Sequence, residues 1–350
     1  MQGLSFEEFA KKVQEEIKSY LPEKYADSTV DLHEVIKNND TKLHALTVSS
    51  PEGNVAPTIY LEQYYGDYQD GHDFSDVLEE IAQVRINHEV GRDMDVTMLS
   101  DYEKVKEKII PRLVNLEQNK ELLADRPYTV MDDLAVTYHV FLGEHEGGTM
   151  SAPVTNAMLS MYGVDVNTIH EQAVANLNEV TPSVFKSMGQ VMMEMMGDDF
   201  PAELMPPDDG LMYVLSNKDK LHGASALLDE KMMQEVSERM NGDFYILPSS
   251  VHETIIIPKN AEMDRETLEG MVRDVNATQV ALDERLSDHV YVYDSKAREI
   301  HRADRDEAKV NVTVKSNSIL KKLEEKKEEA AKLNAGRVEK MPDKAKGMAL

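Results

Sequence analysis

Residues 242–258 read GDFYILPSSVHETIIIP and form the most β-rich stretch of the chain. The run 244–247 combines aromatic and aliphatic side chains, as a half-buried pleated surface prefers, and a Pro-Ser-Ser turn follows it. A second run, 254–257, ends at Pro258, which cannot donate to a β ladder. Two short β runs around a Pro/Ser loop predict a hairpin. The three consecutive isoleucines in the second run predict a central strand that is covered on both faces.

Strand and helix patterns alternate on both sides of this hairpin. Residues 211–215 have the composition of a strand, and residues 227–240 place apolar side chains at helical spacing. Downstream, Asp264 can cap a helix with one apolar stripe. Residues 289–293 then alternate as a strand does, and a short return strand follows them. The region 201–303 therefore predicts a β-α-β-β-α-β-β unit.

The remainder of the chain predicts three further regions around this C-terminal α+β unit. Residues 1–126 form an N-terminal α+β region, which includes a hairpin over residues 29–49. Residues 127–200 form a β-hairpin followed by helices, and residues 304–350 form a charged tail that is helical or disordered. A chain of 350 residues is long enough for such an organisation. The predicted fold class is α+β, with mixed or antiparallel sheets on which helices pack.

Two helix starts are predicted from local capping patterns. Residues 100–103, Ser-Asp-Tyr-Glu, form a capping box that heads a helix through Val105, Ile109 and Leu113. Pro111 lies inside that pattern and is expected to kink it. The pair Thr181-Pro182 predicts the start of a methionine-rich helix, with proline in the first helical position.

Composition indicates the compartment. The chain has no cysteine, which excludes disulfides and thiolate zinc sites and is typical of a reducing interior. Its first residues show no signal-peptide pattern, and no apolar run approaches the roughly 18 residues that span a bilayer. A cytoplasmic location without membrane insertion is therefore expected.

The charge is strongly acidic, with a formal net value of −27 at pH 7. A surface of this sign repels phosphate backbones, so direct nucleic-acid binding is disfavoured. An acidic surface that serves solubility is the plain interpretation. A nucleic-acid mimic is the sharper alternative, although charge count alone does not show phosphate-like spacing.

Three passages of the sequence resemble a known family. They are Pro57-Thr-Ile-Tyr-Leu-Glu62, residues 211–218 (LMYVLSNK) and residues 242–253 (GDFYILPSSVHE). The chain resembles the bacterial family catalogued as domain of unknown function 5688. It is also distantly similar to domain of unknown function 1444 around residues 236–258. The resemblance implies a cytoplasmic bacterial α+β protein and brings no activity, cofactor or catalytic residue.

Histidines beside carboxylates give the candidate metal ligands. His139, Glu144 and His145 form the tightest such cluster, and imidazoles with carboxylates can hold a divalent metal. The alternative is a solvated hairpin tip. His252 and Glu253 begin like a metalloprotease motif, but isoleucine stands where the second histidine should be. A structural role at the end of the hairpin is the alternative for this pair.

The functional prediction depends on what is missing and on one methionine-rich helix. The sequence lacks a phosphate loop, a dinucleotide-binding glycine motif and a nucleophile elbow. Flexible thioethers suit an adaptable binding face, although a stripe of this kind is more often core. The candidate partner-binding residues are Met192, Met193, Met195 and Met196. We expect a non-enzymatic interaction or regulatory protein that has a protein partner and no cofactor. A metal-dependent enzyme of unrecognised type is the alternative.

Overall fold

The computed structural model describes residues 3–50, 56–88, 96–145, 148–196, 211–259 and 263–305. Its strands are β1 Thr29–Ile36, β2 Lys42–Ser49, β3 Thr58–Tyr60, β4 Ile109–Asn115, β5 Tyr128–Met131, β6 Leu134–His145, β7 Gly148–Pro153, β8 Ser183–Ser187, β9 Tyr213–Asn217, β10 Phe244–Leu247, β11 Thr254–Pro258, β12 Tyr291–Asp294 and β13 Glu299–Arg302. Its α-helices are α1 Phe6–Glu16, α2 Glu62–Gln69, α3 Phe74–Asn87, α4 Tyr102–Val105, α5 Lys120–Ala124, α6 Asn156–Tyr162, α7 Val166–Val180, α8 Met188–Met196, α9 Glu230–Met240 and α10 Arg265–Thr278.

The described strands form three antiparallel sheets. The first has the order β1-β2-β3, and the second has the order β4-β6-β5 with β7 paired to β6. The third is six-stranded, in the order β13-β12-β10-β11-β9-β8. With helices packed on these sheets, the fold class is α+β, as predicted. The β-α-β-β-α-β-β unit is also present, running from β9 to β13.

The chain divides into two compact units, Met1–His301 and Arg302–Leu350. Of the second unit, the structure describes residues 302–305. The predicted charged tail therefore lies outside the described residues, apart from its first two positions. The predicted boundaries at residues 126 and 200 fall inside the first unit and stay predictions.

The hairpin of residues 242–258 lies at the centre of the six-stranded sheet. β10 pairs with β11 so that Ile246 faces Ile256, and β11 pairs on its other edge with β9. Ile256 and Ile257 are both fully buried. Because successive side chains of a strand point to opposite faces, both faces of β11 are covered, and the prediction of a central strand is confirmed.

The helix predicted to run from residue 100 to 113 is wrong. The helix α4 ends at Val105, and residues 109–115 form β4. The cap is Asp101, whose carboxylate accepts the Glu103 N–H at 3.1 Å. Pro111 is accommodated because β4 lies at the edge of its sheet, where a missing N–H removes no ladder bond. Pairing with β6 outweighed the local helical spacing.

The helix start predicted at Thr181-Pro182 is also wrong. Residues 183–187 form β8, the edge strand that pairs with β9. The methionine-rich helix α8 begins only at Met188. Proline directly before an edge strand is as compatible with sheet geometry as proline at the start of a helix, so the dipeptide alone did not distinguish the two.

The β1–β2 turn holds the first sheet against the C-terminal part of the first unit. In the β1–β2 turn, Asn38 Nδ2 donates to the carbonyls of Asp283 and Arg285 at 3.0 and 3.1 Å. Asn39 Nδ2 donates to the carbonyls of Leu282 and Arg285 at 2.7 and 2.9 Å. These bonds fix the position of Lys37, the residue that precedes the turn.

Candidate functional site

Charged and imidazole side chains from distant parts of the sequence converge on one cavity, called here the central cleft. Its volume is about 330 Å³, and small-molecule sites span roughly 300–1,000 Å³. Its cationic and imidazole side chains are Lys37, Arg112, Arg126, His139, His222 and His252. All of them belong to the first compact unit.

The β4–β6 pair presents the floor of the cleft. Arg112 pairs with Thr137 across the two strands, and His139 lies two residues further along β6. Alternation therefore places Arg112, Thr137 and His139 on one face of the sheet. Leu113 and Tyr138 point to the opposite face, where they join the main hydrophobic core. The alternation along β4 and β6 thus gives the sheet one apolar face and one polar face.

Arg112 lines the cleft, and its guanidinium makes few hydrogen bonds. Its Nη2 donates to Ser151 Oγ at 2.7 Å, whereas its buried Nε has no hydrogen-bond partner. Burial lowers the pKa of Arg112 to about 10, and the neighbouring charge of Arg126 lowers it in the same direction. Among the described residues, no carboxylate lies within ion-pairing distance of this guanidinium.

Arg126 and Lys37 add positive charge to the same cavity. Burial lowers the pKa of Arg126, and Asp125 acts weakly in the opposite direction. Within the described part of the chain, the Arg126 side chain has no hydrogen-bond or ion-pair partner. Lys37 Nζ donates to Tyr60 Oη at 3.2 Å and lies 4.6 Å from the centroid of that ring. The cleft therefore holds three cationic side chains, and none of them forms an ion pair within the described residues, although Asp283 and Glu284 also line the cavity.

The two inner histidines are neutral near neutral pH. Burial lowers the pKa of His139 well below its usual value, and Arg112 and Arg126 add to the effect. Its buried Nδ1 has no hydrogen-bond partner. Burial, followed by the charge of Arg112, lowers the pKa of His222 to about 2. Both imidazoles can therefore offer one N–H donor and one acceptor nitrogen.

Strained backbone places His222 in the cleft. Lys220 and His222 both have φ of 54°, in the left-handed region, which non-glycine residues rarely adopt. Gly223 follows, and a Cβ atom there would lie 2.5 Å from His252 O and 2.6 Å from Asn217 N. Only glycine permits this approach between the loop and the hairpin. Such strain is typical of functional sites.

His252 is a fixed residue at the wall of the cleft. Its Nδ1 accepts the backbone N–H of His222 at 3.1 Å, so its proton is on Nε2 when the ring is neutral. That Nε2 lies 3.5 Å from Oε1 of Glu284, whose side chain is 49 % exposed. Both ring nitrogens thus face protein partners, and the contact helps to hold the strained backbone of His222.

The structure brings together two of the predicted metal ligands and leaves the others apart or undescribed. His139 and His252 both line the cleft, and Glu253 does not. The backbone of Glu144 and His145 belongs to β6, but their side chains lie outside the described residues. Within the described ranges of the chain, no group of three His, Asp or Glu side chains is placed to hold a metal ion.

The predicted partner-binding methionines lie on α8, away from the lining of the cleft. Met192 is half-buried, Met193 is 43 % exposed and Met195 is 75 % exposed. The side chain of Met196 is not described. The helix therefore presents thioether surface to solvent.

Sequence reasoning missed Lys37, Arg112, Arg126 and His222. One signal was present, because Arg112 interrupts an otherwise apolar run at residues 109–114, and an arginine inside a buried strand is unusual. The helical interpretation of that run concealed it. The others lie in turns and loops, and only the tertiary fold brings them to the same cavity.

The comparisons with known proteins give a family and no further relative. The model of DUF5688, a family of unknown function, matches residues 6–295, a range that contains every cleft residue described above. No curated protein and no solved structure matches the chain. No helix in the described ranges is both long and apolar enough to cross a bilayer.

Proposed function

The chain belongs to DUF5688, a family of unknown function, and we propose that it is a binding protein whose central cleft holds a small anionic ligand. The observation that carries the proposal is a pair of guanidinium groups, Arg112 and Arg126, that share one cavity without a carboxylate partner in the described residues. Buried charges in proteins are normally paired.

Electrostatics give the physical reason. Burial without a counterion costs free energy and lowers the pKa of each guanidinium. The rest of the protein is strongly acidic, so carboxylates are abundant, yet none pairs with these two groups in the described structure. An anionic ligand would provide the negative charge that these guanidinium groups lack, and it would accept hydrogen bonds from their unpaired N–H donors. Arginine forks suit carboxylate and phosphate groups in particular.

A binding role is favoured over acid–base catalysis. A general base works best with a pKa near the working pH, whereas the pKa of His222 is about 2 and that of His139 is well below its usual value. Both nitrogens of His252 already face protein atoms. The histidines are therefore suited to hydrogen-bond a ligand rather than to transfer its protons.

The metal-dependent enzyme predicted as an alternative is the second candidate. The observation in its favour is that His139, His222 and His252 line one cavity. Against it, Arg112 and Arg126 would repel a divalent cation at the same place. Stabilisation of the protein by zinc or manganese, but not by anions, would favour this candidate.

The sequence predicted an interaction or regulatory role. We connect the cleft with that role by proposing that the protein regulates a protein partner. The exposed thioethers of Met193 and Met195 are a candidate surface for that partner. A cytoplasmic bacterial location and protein–protein interaction remain part of the proposal. The acidic nucleic-acid mimic remains a prediction without further support.

A thermal-shift experiment tests the anion site. We expect inorganic phosphate to raise the melting temperature above that in chloride at equal ionic strength, because a ligand that binds only the native state stabilises it. Arg112→Gln and Arg126→Gln should each remove most of this shift. Arg273→Gln is the matched control, since it removes the same charge from an exposed position on α10.

The controls separate specific binding from screening. An equal shift in all four proteins would indicate a general salt effect and contradict the proposal. If no anion stabilises the native protein, including small dicarboxylates and sulfate, the unpaired guanidiniums have another explanation and the proposed function is wrong. Recovery of the ligand chemically unchanged after prolonged incubation is expected for a binding protein.

A further inference from the structure

We propose that the ligand of the central cleft is a sugar-phosphate-like molecule, with one phosphate monoester at the inner end and a hydroxylated body towards the mouth. The inference rests on the proposed anion-binding function and extends it to the chemical class of the ligand. Four features of the cleft carry it: its charge, its hydrogen-bond donors, its apolar wall and the carboxylates at its mouth.

Charge favours phosphate over carboxylate at the inner end. Lys37, Arg112 and Arg126 all line the cavity, and no carboxylate in the described residues pairs with either guanidinium. A phosphate monoester carries about −1.5 to −2 charge at neutral pH. A carboxylate carries a single charge and would leave one guanidinium uncompensated in a low-dielectric environment.

The donors favour the same group. Arg112 donates from Nη2 to Ser151 Oγ, and its Nη1 has no partner in the described structure. The Arg126 guanidinium donates no hydrogen bond there, and the neutral His139 and His222 contribute one donor each. Three phosphate oxygens can accept bonds from several directions, whereas a carboxylate has about four acceptor sites in one plane. Donors from two strands, a loop and a helix end suit the tetrahedral group.

The cleft volume beyond a bound phosphate fits an organic group that is not a nucleobase. About 330 Å³ is at the lower end of the roughly 300–1,000 Å³ of small-molecule sites and leaves room beyond a phosphate. Ile36, Leu122 and Val251 supply an apolar wall. None of the residues that line the described cleft is Phe, Tyr or Trp, so the aromatic platform on which bases usually stack is missing.

The mouth of the cleft selects hydroxyl groups. Asp283 and Glu284 line the cleft, and the half-exposed side chain of Glu284 marks the end that opens to solvent. Ionised carboxylates only accept hydrogen bonds, so the outer end of the ligand must donate. They also repel a second anionic group. One phosphate with hydroxyl groups beyond it satisfies both ends, whereas a dicarboxylate satisfies only the inner one.

Calorimetric titration of the full chain with glucose phosphate, glucose, inorganic phosphate and succinate tests the inference. We expect glucose phosphate to bind most tightly, inorganic phosphate more weakly, and glucose not measurably. Arg112→Gln and Arg126→Gln should each weaken glucose phosphate roughly 10- to 100-fold, the range for hydrogen bonds to charged groups. Two arginine variants are used so that one misfolded protein leaves the test intact.

The variant Glu284→Gln tests the contribution of the carboxylate at the mouth of the cleft separately from that of the arginines. Loss of its charge should weaken glucose phosphate relative to inorganic phosphate, by about 10-fold if one charge-assisted hydroxyl bond is lost. The control Arg273→Gln should leave both affinities unchanged. Succinate binding as tightly as glucose phosphate, or an unchanged preference in Glu284→Gln, would overturn the ligand class while leaving the anion site in place. Binding of none of the anions would overturn both proposals.

Discussion

Two arginines in this protein, Arg85 buried and Arg112 half-buried, have opposite environments. Arg85, on α3 in the N-terminal core, is 3 % exposed, and its Nε donates to Val48 O at 2.8 Å while Nη1 donates to Tyr25 Oη at 3.3 Å. Its guanidinium also lies 4.6 Å from the centroid of the Tyr25 ring. Arg112 has one partner, Ser151, and a buried Nε without any.

The difference shows how a structural arginine is distinguished from a functional one. The guanidinium of Arg85 donates to a carbonyl and a hydroxyl and packs on an aromatic face, so the folded protein already stabilises it. Arg112 shares its cavity with a second cation, Arg126, that lowers its pKa. A group that the fold leaves unsatisfied is best explained by something that binds there. Four predictions sharpen or break this comparison.

The largest change in the free energy of unfolding is expected at Ile256, a residue with a purely structural role. Ile256→Ala removes a fully buried side chain from the central strand β11 and should cost about 2–5 kcal/mol of unfolding free energy. Ile255, which is only half-buried, should cost less when changed to alanine. Urea denaturation of both variants measures this. Equal tolerance at the two positions would show that β11 is not at the centre of the fold.

Arg85→Gln should behave as a structural substitution. It removes two hydrogen bonds and the contact with the Tyr25 ring, and it leaves Val48 O buried without its donor. We expect a loss of about 1–3 kcal/mol in unfolding free energy. The measurement is urea denaturation, and anion binding should be retained. If Arg85→Gln were as stable as the parent protein, satisfied hydrogen bonds would not be what separates the two arginines.

Acid should destabilise the protein through the cleft histidines. The pKa values of His139 and His222 are lowered in the folded state, so below about pH 6.5 the unfolded chain binds protons that the native state does not. Stability should fall with decreasing pH, by about 1.4 kcal/mol per pH unit for each histidine. His222→Asn suits the left-handed backbone and should make the slope shallower. An unchanged slope would mean that His222 is solvated in solution.

Arg112→Gln should change the free energy of unfolding least of all, and it should not destabilise the protein as the preceding substitutions do. Removing an unpaired, half-buried charge is expected to leave the ligand-free protein unchanged or about 1 kcal/mol more stable. Urea denaturation in a buffer without phosphate or carboxylate measures this, with Arg273→Gln as the charge-matched control. A loss as large as that of Arg85→Gln would show that Arg112 is a structural residue and would contradict the comparison.

Local chemistry predicted much of the fold and part of the site. Turn composition and β-rich runs predicted the hairpin of residues 242–258, and Asp264 was identified as a cap, which accepts the Thr267 N–H at 2.8 Å. These succeed because caps and hairpins depend on residues close in sequence. Among the metal candidates, His139 and His252 do line the cleft, although the ligand class we propose for it is different.

The failures have one physical cause, which is competition from distant strands. Helical spacing at Val105, Ile109 and Leu113 was present in the sequence, but ladder bonds with β6 decided the conformation of residues 109–115. The same applies to residues 183–187, which β9 holds in the six-stranded sheet. Local propensity is a weak signal when a sheet offers a full set of hydrogen bonds.

The sequence by itself determined the α+β class, the central hairpin, the helix cap at Asp264 and the acidic charge, because each follows from composition or from neighbours within a few residues. Only the tertiary structure decided that Lys37, Arg112, Arg126 and His222 share a cavity. Their proximity depends on strand register, on a strained loop beside Gly223 and on a turn held by Asn38 and Asn39. Electrostatic environment is a property of that arrangement in space, so no local pattern could have predicted it.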